Sequence, residues 1–568
     1  LPPDPYYCAL FRHFNQEMHQ IRPKSAPRCW TGPRPCPKTI RPGNEQDSDM
    51  NGDSGTPTEL SRREALLAGV ASATVLASAA DARSAKPRSA GPPEIVTWTV
   101  TELSARINRR AVSCREVMAA HLDWIDRVNP AVNAIVSMVE RPALLAAADA
   151  ADAEIAAGRY RGWMHGLPHA VKDLAATRGI RTTMGSPIFA GNVPKGDEIF
   201  VERLRAAGAI LIGKTNVPEF GLGSQSYNPV FGVTRNAYDQ RKTAGGSSGG
   251  AAAALAARMV PVADGSDFAG SLRNPAGWNN VFGLRPTAGR VPHGPTNELF
   301  MQSIGIEGPM ARTVGDLALL LSVMAGYDAR TPLSLDDNPA QFAEALDRDM
   351  KGVRIGWLGD LGGVPMAPGM IDLCLSGVRR LEAAGCVVEP VTLGVDRATI
   401  WSAFVRLRQG FLAGGLGPLY ADPAKRALLK PEAIWEIENG QKLSAVDLYN
   451  ASIARSQVYE AYRKAFESYD FVALPSAQLF PFDAGIHWPR TVAGVEMDSY
   501  HRWMEIVAGP SLAGCPTLCV PAGFGPEGLP SGIQLIGPNR KDFAVLQLGR
   551  AYERVSGEVL GRRPALLG

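Results

Sequence analysis

The sequence is poor in the residues of soft-metal chemistry. Eight histidines and eight cysteines are spread over 568 residues, and neither C-x-x-C nor H-E-x-x-H occurs. Zinc sites need such ligands at short spacing, so no metal is expected. Cys8, Cys29 and Cys36 lie near the start, which leaves Cys114, Cys374, Cys386, Cys515 and Cys519 in the main body. An odd set in a chain large enough to bury its own core argues against a disulfide framework. An excess of one charge is also lacking. The net charge is +3 with both signs interspersed, so a nucleic-acid partner is not suggested. The main body has no apolar run long enough to span a bilayer, and no internal repeat.

The first residues read as leader material. Positions 1–49 are rich in proline, arginine and polar residues and begin without a methionine, and Met50 is a plausible start. Residues 50–82 carry the parts of an export signal. Ser61-Arg62-Arg63 precedes the uncharged stretch Ala65 to Ala80, and Ala80-Asp81-Ala82 is an A-x-A cleavage site. The arginine pair points to the twin-arginine route, and hence to a periplasmic protein. A membrane anchor is the competing reading. The stretch is about 16 residues and alanine-rich, against about 20 apolar residues for a span.

From Pro93 onward helices and strands alternate. Around residues 197–216 a helix ends at Gly208 and runs into the apolar strand Ile210 to Ile212. Strand, helix and strand recur from Val353 to Leu393, and "DFVALPS", "PTLCVPAG" and "PSGIQLIG" read as late strands before a helix at Asp542 to Val555. This order predicts an α/β fold on a largely buried sheet. It is expected as one domain, 93–568, with a more helical, aromatic-rich insertion near 395–510.

"TAGGSSGGAAAALAA", Thr243 to Ala257, is the most unusual stretch. No lysine follows its glycines as a phosphate loop demands. Gly245-Gly246-Ser247-Ser248-Gly249 fits the nucleophile elbow G-x-S-x-G, but the polar "NAYDQRKTA" before it is no core strand. His293, His487 or His501 would then have to act as base. The bland alternative is a turn in which Ser247 or Ser248 caps the following helix. Two further stretches bear on the choice. "HGLPHAVKD" places Lys172 after a short apolar run, near a strand end. A Lys-Asp pair such as Lys172-Asp173 is ordinarily a solvated surface pair. "ADGSDFAGSLRNPAG" surrounds Ser266 and Ser271 with small residues, and Asp267 and Arg273 can pin the loop.

Together these stretches, with "GPMARTVGDLALLL" and "GLPSGIQLIGP" downstream, resemble the amidase signature family from about Thr99 to Val555. The resemblance implies a large twisted mixed β-sheet surrounded by α-helices. It also implies an amide hydrolase with no cofactor. Ser271 corresponds to the nucleophile, Ser247 to a bridging serine on a cis peptide, and Lys172 to the base. The backbone amides of Phe268, Ala269, Gly270 and Ser271 correspond to the oxyanion hole.

That assignment is physically coherent. A serine hydroxyl attacks only as a base removes its proton, and a lysine can do so only when neutral. Burial beside Ala170, Val171 and Leu174 favours the neutral amine. Ala269 departs from the family pattern, which has glycine there. Expected substrates are small amides, with esters and carbamates open as well. Trp401, Phe404, Phe411, Trp488, Tyr500 and Trp503 of the insertion are either core packing or the walls of an apolar pocket. No nucleic-acid partner is expected, and a homodimer is compatible with the sequence. Two rival functions remain at this point: a histidine-dependent serine hydrolase built on the Gly-Gly-Ser-Ser-Gly elbow, and an inactive amide-binding protein.

Overall fold

A computed structural model of the chain describes residues 91–568; the expected leader, 1–49, and export signal, 50–82, lie outside them. Two sheets organise the described part. The smaller has three strands, β1 (Ile135–Val136), β2 (Pro168–Lys172) and β3 (Ile210–Thr215), in the order β1-β3-β2. β2 runs parallel to β3, with Lys172 opposite Thr215 at the strand ends. All five residues of β2 are buried, including the polar side chains of His169 and of Lys172 at its end.

The larger sheet has eight strands: β4 (Val262–Asp267), β5 (Phe282–Arg285), β6 (Ile306–Ala311), β7 (Arg354–Trp357), β8 (Val387–Pro390), β9 (Phe471–Pro475), β10 (Thr517–Phe524) and β11 (Pro530–Ile536), in the order β8-β7-β9-β11-β10-β5-β6-β4. β7 pairs in parallel with β8 and with β9. The remaining pairs are antiparallel. It is the mixed sheet of the sequence reading, with helices around it. The alternation of helix and strand gave no sign that most pairs would be antiparallel, because pairing direction depends on where each connection returns.

Helix α1 (Gly249–Ala256) is buried along its whole length and leads directly into β4. Eight consecutive small or apolar residues allow this, since no polar face has to reach water. Downstream, α2 (Arg397–Ala421), α3 (Pro431–Gly440) and α4 (Ala445–Ala465) pack on one another. They make up the helical part of the expected insertion at 395–510, but the chain re-enters the large sheet at β9 within that range. Helix α5 (Asp542–Val555) closes the order across β10. The five cysteines of the body are buried and unpaired. Among the described residues no helix is long and apolar enough to cross a membrane.

Candidate active site

The two sheets meet at a buried carboxylate. Asp264 on β4 accepts the Lys172 backbone N–H at 3.0 Å through Oδ2 and holds His169 Nε2 at 2.9 Å through Oδ1. This stitches the end of β2 to the edge strand β4 and fixes where the Lys172 side chain emerges. Its ammonium nitrogen, 1 % exposed as a residue, reaches Ser247 Oγ and Ser248 Oγ at 2.8 Å each, Ser266 Oγ at 3.0 Å and the Ser266 carbonyl at 3.1 Å. The carbonyl can only accept, so one N–H of Lys172 is committed there. The hydroxyls can give or take protons. Burial pushes the Lys172 pKa down to about 7, against the opposing pull of Asp267, Asp264 and Glu307. A large share of the amine is therefore neutral at neutral pH. The Lys172-Asp173 pair is not a solvated one: Asp173 turns away to Thr183 and is wholly buried.

The glycine-serine loop serves this lysine. The Gly246–Ser247 peptide is cis. Ser248 stands at the start of α1, yet its side chain does not cap the helix. The first helical N–H groups find other partners, Gly249 on Ser226 Oγ at 3.2 Å and Gly250 on the Asn216 carbonyl at 3.1 Å. The Ser248 hydroxyl is thereby free for Lys172. Capping, the bland role for these serines, is not what either one does.

After β4 the chain turns sharply around Asp267. Its carboxylate accepts Gly270 N–H at 2.8 Å and Leu272 N–H at 3.0 Å, and both carboxylate oxygens take the Arg273 guanidinium at 2.9 Å. Arg285 stands beside the same group, 3.4 Å away. Burial alone would raise the Asp267 pKa, but Arg273 and Arg285 hold it well below the usual carboxylate range. The pinning expected of Asp267 and Arg273 is therefore present. It also corrects the expected oxyanion set. Gly270, at φ 90°, spends its N–H on Asp267 and has none for a ligand. The N–H groups of Phe268, Ala269 and Ser271 make no hydrogen bond among the described residues. Ala269 lies outside the left-handed region, so its methyl group adds no backbone strain where the family pattern has glycine.

Lys172, Ser247, Phe268 and Ser271 border one cavity of about 260 Å³. Ser271 is in that wall without being hydrogen-bonded to Ser247; no partner for its hydroxyl occurs among the described residues. Of the aromatic side chains expected from the insertion, only Phe411 borders the cavity. Trp401, Phe404, Tyr500 and Trp503 are buried in core packing, and Trp488 packs at its edge. The other aromatic walls, Phe200, Phe220 and Phe268, come from elsewhere in the chain. Helical spacing accounts for Phe411: Phe404, Arg408 and Phe411 share one face of α2, Phe268 lies 6.1 Å from both rings, and the Arg408 guanidinium sits over it.

Among the described residues no histidine is bonded to Ser247, Ser248 or Ser271. His487 stacks on Tyr227, and His501 is enclosed by Trp401, Phe404 and Trp435. His293 borders the cavity but donates from Nδ1 to Glu307 at 2.9 Å. The histidine-dependent elbow therefore finds no base among the described residues. Glu198, His293 and Glu307 are the one group among the described residues whose ligand atoms lie close enough to hold an ion, within 4.8 Å of one another. Ser248, Ser266 and Asp264 were not singled out as site residues from sequence. Ser266 and Asp264 lie within a quoted motif, but which serine reaches the lysine depends on backbone geometry.

Comparison with known proteins gives consistent matches. The Amidase family model matches residues 116–546. An acylamidase of Rhodococcus erythropolis is 32% identical over 463 residues, covering 80% of this chain and 95% of that protein. A glutamyl-tRNA(Gln) amidotransferase subunit of Acidothermus cellulolyticus is 34% identical over 497 residues, covering 83% and 96%. Among solved structures, a bacterial aryl acylamidase of the amidase signature family superposes with a TM-score of 0.77 at 29% identity, covering 82% of this chain and 99% of its own.

Proposed function

The chain belongs to the amidase signature family and is a hydrolase of amide bonds, and from that premise we propose that Ser271 is its nucleophile, Ser247 the proton bridge and Lys172 the base. The observation that carries this reading is the buried amine of Lys172 at 2.8 Å from Ser247 Oγ, on the wall of the cavity that Ser271 also borders. Ser271 Oγ bonds to the amide carbon while its proton passes to Ser247 and the Ser247 proton passes to neutral Lys172. The developing oxyanion is met by the N–H groups of Phe268, Ala269 and Ser271. When the tetrahedral adduct collapses the C–N bond breaks. The proton held on Lys172 returns through Ser247 to the leaving amine. Water then attacks the acyl-enzyme by the same relay and releases the acid.

Asp267 and Arg273 hold the oxyanion loop in shape before substrate arrives, so little reorganisation is left for the transition state. The substrates are small amides, since the cavity is of small-molecule size; esters and carbamates pass through the same acyl-enzyme. No nucleic acid takes part, which accords with the mixed surface charge, and a homodimer is compatible with the fold. We further propose that residues 1–49 are leader, that 50–82 direct export by the twin-arginine route to the periplasm, and that 93–568 form the catalytic domain. The experiment for the catalytic reading is a hydrolysis screen of anilides, aliphatic amides and aminoacyl amides with purified wild type and Ser271→Ala. Wild-type turnover that falls about a thousandfold or more in the variant supports it, and near-normal turnover in Ser271→Ala overturns it.

A further inference from the structure

Glu198 and Glu307 have no part in the proton relay, yet both border the catalytic cavity. Glu307 lies on β6 directly opposite Ser266 on β4. Directly paired residues of antiparallel strands project to the same face about 5 Å apart. Ser266 Oγ uses that face to reach Lys172 Nζ, so the Glu307 carboxylate stands one strand away from the catalytic amine. One of its oxygens accepts His293 Nδ1–H at 2.9 Å. The other, Oε2, is buried and has no partner among the described residues. An unpaired buried carboxylate oxygen is costly, and it is retained here in the wall of a binding cavity. Glu198 completes the cluster, with Oε1 accepting the Ala176 N–H at 3.1 Å.

Resting on the amide-hydrolase reading, we propose that Glu198 and Glu307 form a cation subsite, selecting amides that carry a protonated amine close to the scissile carbonyl. Two carboxylates face one imidazolium, so above about pH 7, where Glu198 is ionised, the cluster carries a net negative charge for an incoming ammonium. His293 is held protonated by Glu307, its pKa raised to about 9, and it orients the carboxylate instead of competing for the substrate. Glu198 and Glu307 border the same cavity as Ser271, so the ammonium is expected within about two to three carbons of the carbonyl.

Two isosteric substrate pairs test the subsite. One is the 4-nitroanilide of β-alanine against that of butyric acid, with the charge on the acyl side. The other is N-(2-aminoethyl)benzamide against N-propylbenzamide, with the charge on the amine side. In at least one pair kcat/KM should favour the ammonium member by about 10- to 100-fold, the scale of a hydrogen bond to a charged group. That ratio should fall toward one in Glu307→Gln and shrink in Glu198→Gln. Because the readout is a ratio within one preparation, partial loss of folded protein does not alter it. Wild-type ratios near one in both pairs, with the neutral members cleaved, overturn the subsite and leave the hydrolase intact. A ratio unmoved by both substitutions also overturns it. Cleavage of neither pair nor of acetanilide overturns the hydrolase reading and the subsite with it. Activity lost to a chelator and restored by Zn²⁺ gives the cluster to a metal and overturns the subsite.

Discussion

At the scale of single residues the decisive property is the protonation of Lys172. Below its pKa the ammonium has no lone pair and cannot accept the Ser247 proton; above it the amine can. With that pKa lowered to about 7 by burial, kcat/KM should rise with pH through about 7 and level off on the alkaline side. Glu198, pushed up to about 7 by burial and by Glu307, titrates in the same range. Lys172→His separates the two. Residual activity in that variant should move its limb downward, since a buried imidazole titrates below its reference of about 6.5. An unmoved limb removes Lys172 from the role of base. Asp267 supports a second prediction. Asp267→Asn leaves Arg273 and Arg285 facing each other without their counter-charge, which should cost about 3–5 kcal/mol of stability in a denaturant titration. An unchanged midpoint would show that the pair does not brace the loop. Lys172, Ser247 and Ser271, the proposed triad, can be picked out in the sequence because three motifs coincide. The Gly270 amide was misjudged because its partner, Asp267, lies three residues back and bonds only once the loop has turned.

At the scale of elements the site depends on how closely α1 approaches β3. A Cβ on Gly250 would lie 2.3 Å from the backbone nitrogen of Asn216 and 2.6 Å from the Ala134 carbonyl. Both are main-chain atoms that cannot swing aside. Gly250→Ala should therefore push α1 off β3 and carry Ser247 and Ser248 away from Lys172. We expect kcat to fall by about tenfold or more, together with a lower melting temperature. Wild-type values of both would show that the loop is placed by something else. Helices and strands were readable from periodicity, down to α5 at Asp542–Val555. The separate three-stranded sheet was not, because β1 has two residues and its role follows from long-range pairing. Which aromatic residues wall the cavity stayed open in the sequence for a related reason. Trp401 and Phe404 are as aromatic as Phe411, and only the direction of α2 decides which of them meets substrate.

At the scale of the whole molecule, the proposed export signal, 50–82, and the proposed catalytic domain, 93–568, occupy separate stretches of sequence. Arg62→Lys with Arg63→Lys should leave the protein in the cytoplasm, as seen by fractionation, while exported wild type should begin near Arg83. Intact N-termini recovered only with detergent would indicate an anchor instead. The central claim for the body of the chain is that Ser271 attacks, although Ser247, Ser248 and Ser266 are the serines bonded to the lysine. The most direct measurement is reaction with a fluorophosphonate, which labels an activated serine, followed by peptide mapping in a mass spectrometer. We predict the label on Ser271, with labelling abolished in Lys172→Ala; label on Ser247 or Ser248, or no label on the intact enzyme, would contradict the account.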